Sequence, residues 1–185
     1  MKIKLLFILS LALLVCGCAP WQIVQNSRQW RYLGFEATLP AGWMKLNSSP
    51  DILFLSKDGE LLQSIRIFRY EINKKNALPI TKKIVTDNML PQEISELIVN
   101  EMSLNQNKQK LKILENIPID ISGENGFKLE YVFNTPDNLK IKSVLYGFKK
   151  DKFIYLIQYQ ATEQFYFDKD VVVFDDFIKS FKVLR

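Results

Sequence analysis

Apolar and polar residues alternate along several stretches of this chain, and the alternation gives way to a three-four spacing at two places. Phe35, Ala37 and Leu39 alternate with Glu36 and Thr38, the pattern of a strand with one buried face, and Pro40-Ala41-Gly42 ends it. Runs from Asp51 to Ser56 and from Leu61 to Tyr70 flank Lys57-Asp58-Gly59-Glu60, whose central Asp-Gly pair predicts a hairpin. In the second run Ile65, Ile67 and Arg69 point one way, and Arg66, Phe68 and Tyr70 the other. Glu71 to Lys83 loses the period and reads as a loop over the surface, where Lys74-Lys75 and Lys82-Lys83 form a solvated charged face.

The first helical spacing follows Pro91, a residue suited to a first helical turn. Ile94, Leu97, Ile98 and Met102 share one face from about Pro91 to Leu104. Glu93 and Glu96 lie near its start, where the helix dipole favours acids. Four strands are then expected in succession. They are Leu111 to Ile121, interrupted near Pro118; Phe127 to Phe133; Leu139 to Phe148, after a type I turn at Thr135-Pro136-Asp137-Asn138; and Phe153 to Ala161. The last is apolar at almost every position up to Ile157, which predicts a central strand covered on both faces. Val171, Phe174, Ile178 and Phe181 return to helical spacing, with Asp175 on another side and Asp168 as the expected cap. Strands, helix, meander, helix is an α+β order, a mostly antiparallel sheet covered by helices.

The N-terminal pattern is of another kind. Met1-Lys2-Ile3-Lys4 is basic, Leu5 to Val15 is an apolar run of eleven residues, and Val15-Cys16-Gly17-Cys18-Ala19-Pro20 follows. Spanning a bilayer core takes roughly 20 apolar residues, so this run is too short for a span and suits a secretory signal. The segment resembles a bacterial lipoprotein signal peptide, with Gly17 before the cut, Val15 three residues before Cys18, and Cys18 as the lipidated residue. The resemblance implies a signal over 1–17, a lipidated tether over 18–31 and one domain over 32–185. Trp21 and Trp30 are expected to dock onto that domain. The membrane is then a partner through lipid on Cys18. Ala19 is no Asp-type retention signal, so in a Gram-negative host the expected site is the outer membrane, facing the periplasm.

Composition narrows the chemistry. The chain has no histidine and two cysteines, Cys16 and Cys18, of which cleavage would discard one and lipidation consume the other. Ser-His-Asp and Cys-His arrangements, His- or Cys-based metal sites and the usual near-neutral general base are therefore excluded. The seven glycines form no phosphate-binding loop. Losing Lys2 and Lys4 with the signal lowers the net charge from +5 to +3, too mild for nucleic acid. No catalytic, metal or cofactor residue is assigned.

Phe35-Glu36-Ala37-Thr38-Leu39-Pro40 with Gly42-Trp43, and the closing Ile178-Lys179-Ser180-Phe181-Lys182-Val183, resemble the Mog1/PsbP-like α/β/α sandwich over roughly residues 32 to 184. Lys57-Asp58-Gly59, Leu62-Gln63-Ser64-Ile65 and Met89-Leu90-Pro91-Gln92-Glu93 are similar to segments of uncharacterised proteobacterial lipoproteins. The wider fold implies partner binding, with a small GTPase or photosystem subunits in understood members, and neither suits an exported chain. The leading expectation is a non-enzymatic envelope lipoprotein that binds a protein partner or assists an assembly. The alternatives are a small-molecule or lipid carrier with an apolar pocket, its mouth near Phe165-Tyr166-Phe167, and a cell-wall glycan hydrolase built on two carboxylates. Glu36, Asp51, Glu130 and Asp168 are the candidates for such a pair. Packing at the start of the last helix is the plainer expectation for the three aromatics.

Overall fold

One wide antiparallel sheet takes up most of the alternating sequence. The computed structural model describes residues 20–74 and 78–184. The strands are β1 (Trp21–Ile23), β2 (Arg28–Tyr32), β3 (Phe35–Leu39), β4 (Met44–Leu46), β5 (Leu53–Ser56), β6 (Gln63–Glu71), β7 (Gln109–Ile121), β8 (Glu124–Asn134), β9 (Lys140–Lys150), β10 (Phe153–Thr162) and β11 (Lys182–Val183). Among the described residues two α-helices, α1 (Pro91–Ser103) and α2 (Asp168–Ser180), interrupt the order, and a π-helical turn, Glu163–Phe167, leads into the second. Eight strands pair as β1-β4-β5-β6-β10-β9-β8-β7, and β11-β3-β2 form a second small sheet.

The period of two decides which core each side chain joins. On the central strand β10, Tyr155, Ile157, Tyr159 and Ala161 enter a core shared with α2 and the small sheet. Ile154 and Leu156 enter the other, beneath α1. Phe35, Phe148, Tyr155 and Phe181 gather in the first core at ring separations of 4.7–6.1 Å. The result is an α+β sandwich, an antiparallel sheet with a helix on each face.

Both helices are fixed by side chains near their ends. At α1 the Glu93 carboxylate accepts the Leu90 N–H at 2.7 Å, one half of a capping box, since Leu90 has no side-chain oxygen to complete it. Glu101 holds the incoming loop to α1, accepting Ile80 N–H at 2.7 Å, Thr81 N–H at 2.8 Å and Thr81 Oγ1 at 2.7 Å. In the first turn of α2 the buried Asp170 accepts Lys57 Nζ at 3.0 Å, and Asp58 accepts Lys169 Nζ and Gln63 Nε2.

Several expectations change. Trp21 to Ile23 pair with β4, and Arg28 to Tyr32 pair with β3, so half of the segment expected as a tether over 18–31 is built into the two sheets. Trp21 meets Phe54 edge-on at 5.6 Å and Trp30 packs on the first core, as expected of docked tryptophans. Pro118 does not interrupt β7, because β7 is an edge strand and a missing N–H there costs no ladder bond. The surface loop after β6 lends Ile72, Leu78 and Val85 to the second core. Asp168 makes no capping bond: Phe167 before it is already helical in φ and ψ, so the helix boundary lies elsewhere. The buried stripe of α2 centres on Phe174 and Phe177, leaving Val171, Asp175 and Ile178 half-buried.

Candidate functional site

α1 lies across β7, β8 and β9, and the second face of the sheet above β6 is left hollow. Two adjoining depressions result, with Arg66, Phe68, Tyr70 and Gln158 common to both.

The first depression exists because β5 is shorter than β6. Leu53 to Leu55 pair with Ile65 to Ile67, whereas β6 continues to Glu71 with β10 as its ladder partner. The β6 backbone from Phe68 onward therefore borders an open cleft of about 750 Å³, walled by Trp30, Tyr32 and Leu33 on one side and Asn47 to Ile52 on another. Tyr32 and Leu33 are about half exposed. Two guanidinium groups are held flat at this end of β6. Arg66 Nε donates to Asp51 Oδ2 at 2.7 Å with its guanidinium 4.8 Å from the Phe54 ring, and Arg69 lies 4.2 Å from the Phe153 ring.

The second depression, of about 410 Å³, runs between α1 and the sheet. Phe68, Leu145, Ile154 and Leu156 form its floor, with Ile98 and Met102 on the helix side and Leu78 and Val85 on the loop side. Its polar groups are placed by β10, where Gln158 and Gln160 follow the apolar residues on the same face. Gln158 Nε2 donates to Tyr131 Oη at 2.8 Å and Ser143 Oγ at 3.0 Å, and Ser143 Oγ donates to the Tyr159 carbonyl at 2.9 Å.

The titratable groups of this groove are shifted by their surroundings. Burial raises the pKa values of Tyr131 and Tyr70, the latter helped by the negative charge of Asp51. Burial would also raise Glu101, but its three hydrogen bonds outweigh it and hold the carboxyl below its ordinary value. Lys108 reaches in from the turn after α1. Its Nζ is 3.7 Å from the Phe133 ring centroid, and burial pulls its pKa down to about 8.

Of the residues singled out by sequence, Trp30 and Asp51 line the cleft and the other candidate carboxylates lie elsewhere. Residues 1–17 and Cys18 are outside the described residues, as is Lys75. Glu36 is bound by Arg31 and Glu130 by Lys142, while Asp51 holds Arg66 at the cleft and Asp168 begins α2. These four carboxylates sit on separate elements, and no cluster of three or more His, Cys, Asp or Glu occurs among the described residues. Phe167 is buried and Tyr166 packs on the core, but Phe165 is 72% exposed at φ 73°, a strained conformation for a bulky residue. Sequence reading did not single out Arg66, Tyr70, Lys108, Tyr131, Gln158 or Gln160 as a group. Gln158 and Gln160 offered one signal, polar residues on the strand expected to be most buried.

Comparison with solved structures bears on the architecture. The cyanobacterial PsbP protein CyanoP from Synechocystis sp. PCC 6803 is similar over 91% of this chain and 95% of its own, at 19% identity and TM-score 0.58. The fold is PsbP/Mog1-like. A Mog1 mutant matches over 86% of this chain and 96% of its own, at 10% identity and TM-score 0.51. LpqN, involved in cell envelope biogenesis of Mycobacterium tuberculosis, matches over 89% and 91% at 9% identity and TM-score 0.51. No protein-family model and no curated protein sequence matches the chain. At such identities the PsbP/Mog1-like likeness is one of backbone architecture, and the function must be argued from this chain's own cleft and groove.

Proposed function

We propose that the protein is an exported lipoprotein, lipidated on Cys18 and held at the periplasmic face of the outer membrane, where it serves as a non-enzymatic binding or assembly-accessory module. The observation that supports binding is the cleft beside β6. It combines an incompletely paired strand edge with fixed arginines and half-exposed aromatics, the composition of protein contact hot spots. An extended partner segment could add to the edge from Phe68 to Glu71 by main-chain hydrogen bonds, its side chains meeting Tyr70 and Arg69. LpqN, of similar fold, is involved in cell envelope biogenesis, which supports an envelope role for this chain.

A photo-crosslinking residue at position 70, irradiated in native membranes, should yield a discrete adduct, and Arg69→Glu should abolish it. The same residue at Val172, exposed on α2, should not. Adducts equal at positions 70 and 172 would remove the cleft as the binding surface. The address is tested separately. Cys18→Ser should release a folded protein from the membrane, because the anchor is acyl chain, and the unaltered protein should sediment with outer-membrane markers. Retention of Cys18→Ser on membranes after a high-salt wash would overturn the lipid anchor. The apolar groove supports a second reading, carriage of a small molecule or lipid.

A further inference from the structure

We propose that the groove beneath α1 binds a single-chain amphiphile with a carboxylate head, a fatty acid in chemical class, its chain lying on Phe68, Leu145 and Leu156 and its head meeting Lys108. The inference rests on the carrier reading and names its ligand. The volume of about 410 Å³ falls within the roughly 300–1,000 Å³ range of small-ligand pockets, and the lining sets an apolar floor against a few polar groups, among them Lys108, Tyr131 and Gln160, with Arg66 and Glu101 already paired.

Charge identifies the head group. Two cations line the groove, Arg66 and Lys108. Arg66 is already matched by Asp51 at 2.7 Å. Lys108 has no carboxylate partner among the described residues, and aromatic faces at 3.7 Å and 5.5 Å are what it has instead. Those faces attract an ammonium without neutralising it. The acid in the same lining, Glu101, is committed to Ile80 and Thr81. A half-buried ammonium short of both water and counter-ion is costly to keep, as its lowered pKa of about 8 also shows. One unmatched positive charge above an apolar floor is complementary to one negative charge on an apolar body. A carboxylate meets that requirement with a single charge, and the amide of Gln160, whose nitrogen is not committed elsewhere among the described residues, can serve its second oxygen, while the Gln158 amide stays bound to Tyr131 and Ser143.

The test uses the full chain in native membranes, labelled with a dodecanoate analogue carrying a diazirine in its chain. The label should map to peptides containing Met102 or Leu156, and excess dodecanoate should compete while dodecanol does not. Lys108→Met should reduce labelling about tenfold or more, the loss expected for one charge-assisted hydrogen bond. Lys108→Arg should retain it, and Lys82→Met should have no effect. Met102→Trp, which fills the groove with Lys108 intact, should block labelling, and urea midpoints near that of the unaltered protein for this variant and for Lys108→Met guard against loss through misfolding. Labelling indifferent to Lys108, or competed equally by dodecanol, would overturn the carboxylate assignment while sparing an apolar carrier. Label mapping outside the groove would overturn both.

Discussion

Truncating Phe174 to Ala is expected to cost about 3–5 kcal/mol, a large part of the roughly 5–15 kcal/mol that holds a typical domain folded. The ring is fully buried on α2, stacked on Tyr159 at 5.5 Å, with Tyr146 at 5.9 Å and Phe177 at 6.4 Å. Aromatic neighbours on several sides cannot collapse into the space it leaves, so both transfer and cavity terms apply. Asp175, the next residue, is half-buried with no hydrogen bond or ion pair to the described residues, and Asp175→Ala should cost under about 1 kcal/mol. Urea midpoints of the two variants check the contrast. Equal losses would mean that α2 does not present this face to the sheet.

Gly147→Ala should destabilise by about 1–3 kcal/mol through overpacking. Gly147 on β9 sits opposite Phe127 on β8, and the Phe127 ring lies over the space where a side chain would begin. A Cβ there would come within 2.5 Å of Phe127 Cε1 and 2.9 Å of Leu156 Cδ2. Closing that space displaces the ring from the second core, where Phe127 is buried. Shortening the ring by Phe127→Leu should therefore cost less in the Gly147→Ala background than in the unaltered protein. A double-mutant cycle by thermal or urea unfolding measures the coupling. Strictly additive losses would show that Phe127 and Gly147 do not share this space.

The fold was largely legible because burial writes itself as a period. Phe127, Leu129, Tyr131 and Phe133 on one face of β8, or Ile94, Ile98 and Met102 on α1, repeat at intervals that local geometry dictates. Failures came where position in the sheet mattered more than the residue. Pro118 is harmless because β7 is an edge, a fact of topology rather than of neighbouring sequence. Phe177 went unassigned because Phe174, Ile178 and Phe181 already made an acceptable stripe, displaced slightly from the true one. Trp21 and Arg28 to Tyr32 showed no long period because the strands they form are short. The cleft and the groove were not legible at all. The cleft follows from β5 ending before β6 does, and tertiary folding places Trp30 and Tyr70 in its lining together. Lys108 stands in the polar run Asn105 to Lys110, and nothing local separates it from a surface lysine; its character comes from Phe133 and Tyr131, which the chain reaches much later.

The pairing of β1 with β4 sets a length scale for the proposed anchoring. With acyl chains on Cys18, only Ala19 and Pro20 separate the lipidated residue from Trp21, and three Cα-to-Cα steps of about 3.6 Å reach no more than about 11 Å. The domain would then be unable to range through the periplasm in search of a partner. It would ride almost on the headgroups, with the β1 edge of the sheet lowest. Whatever engages the molecule would have to come down to the bilayer, and a ligand leaving the bilayer would have little water to cross.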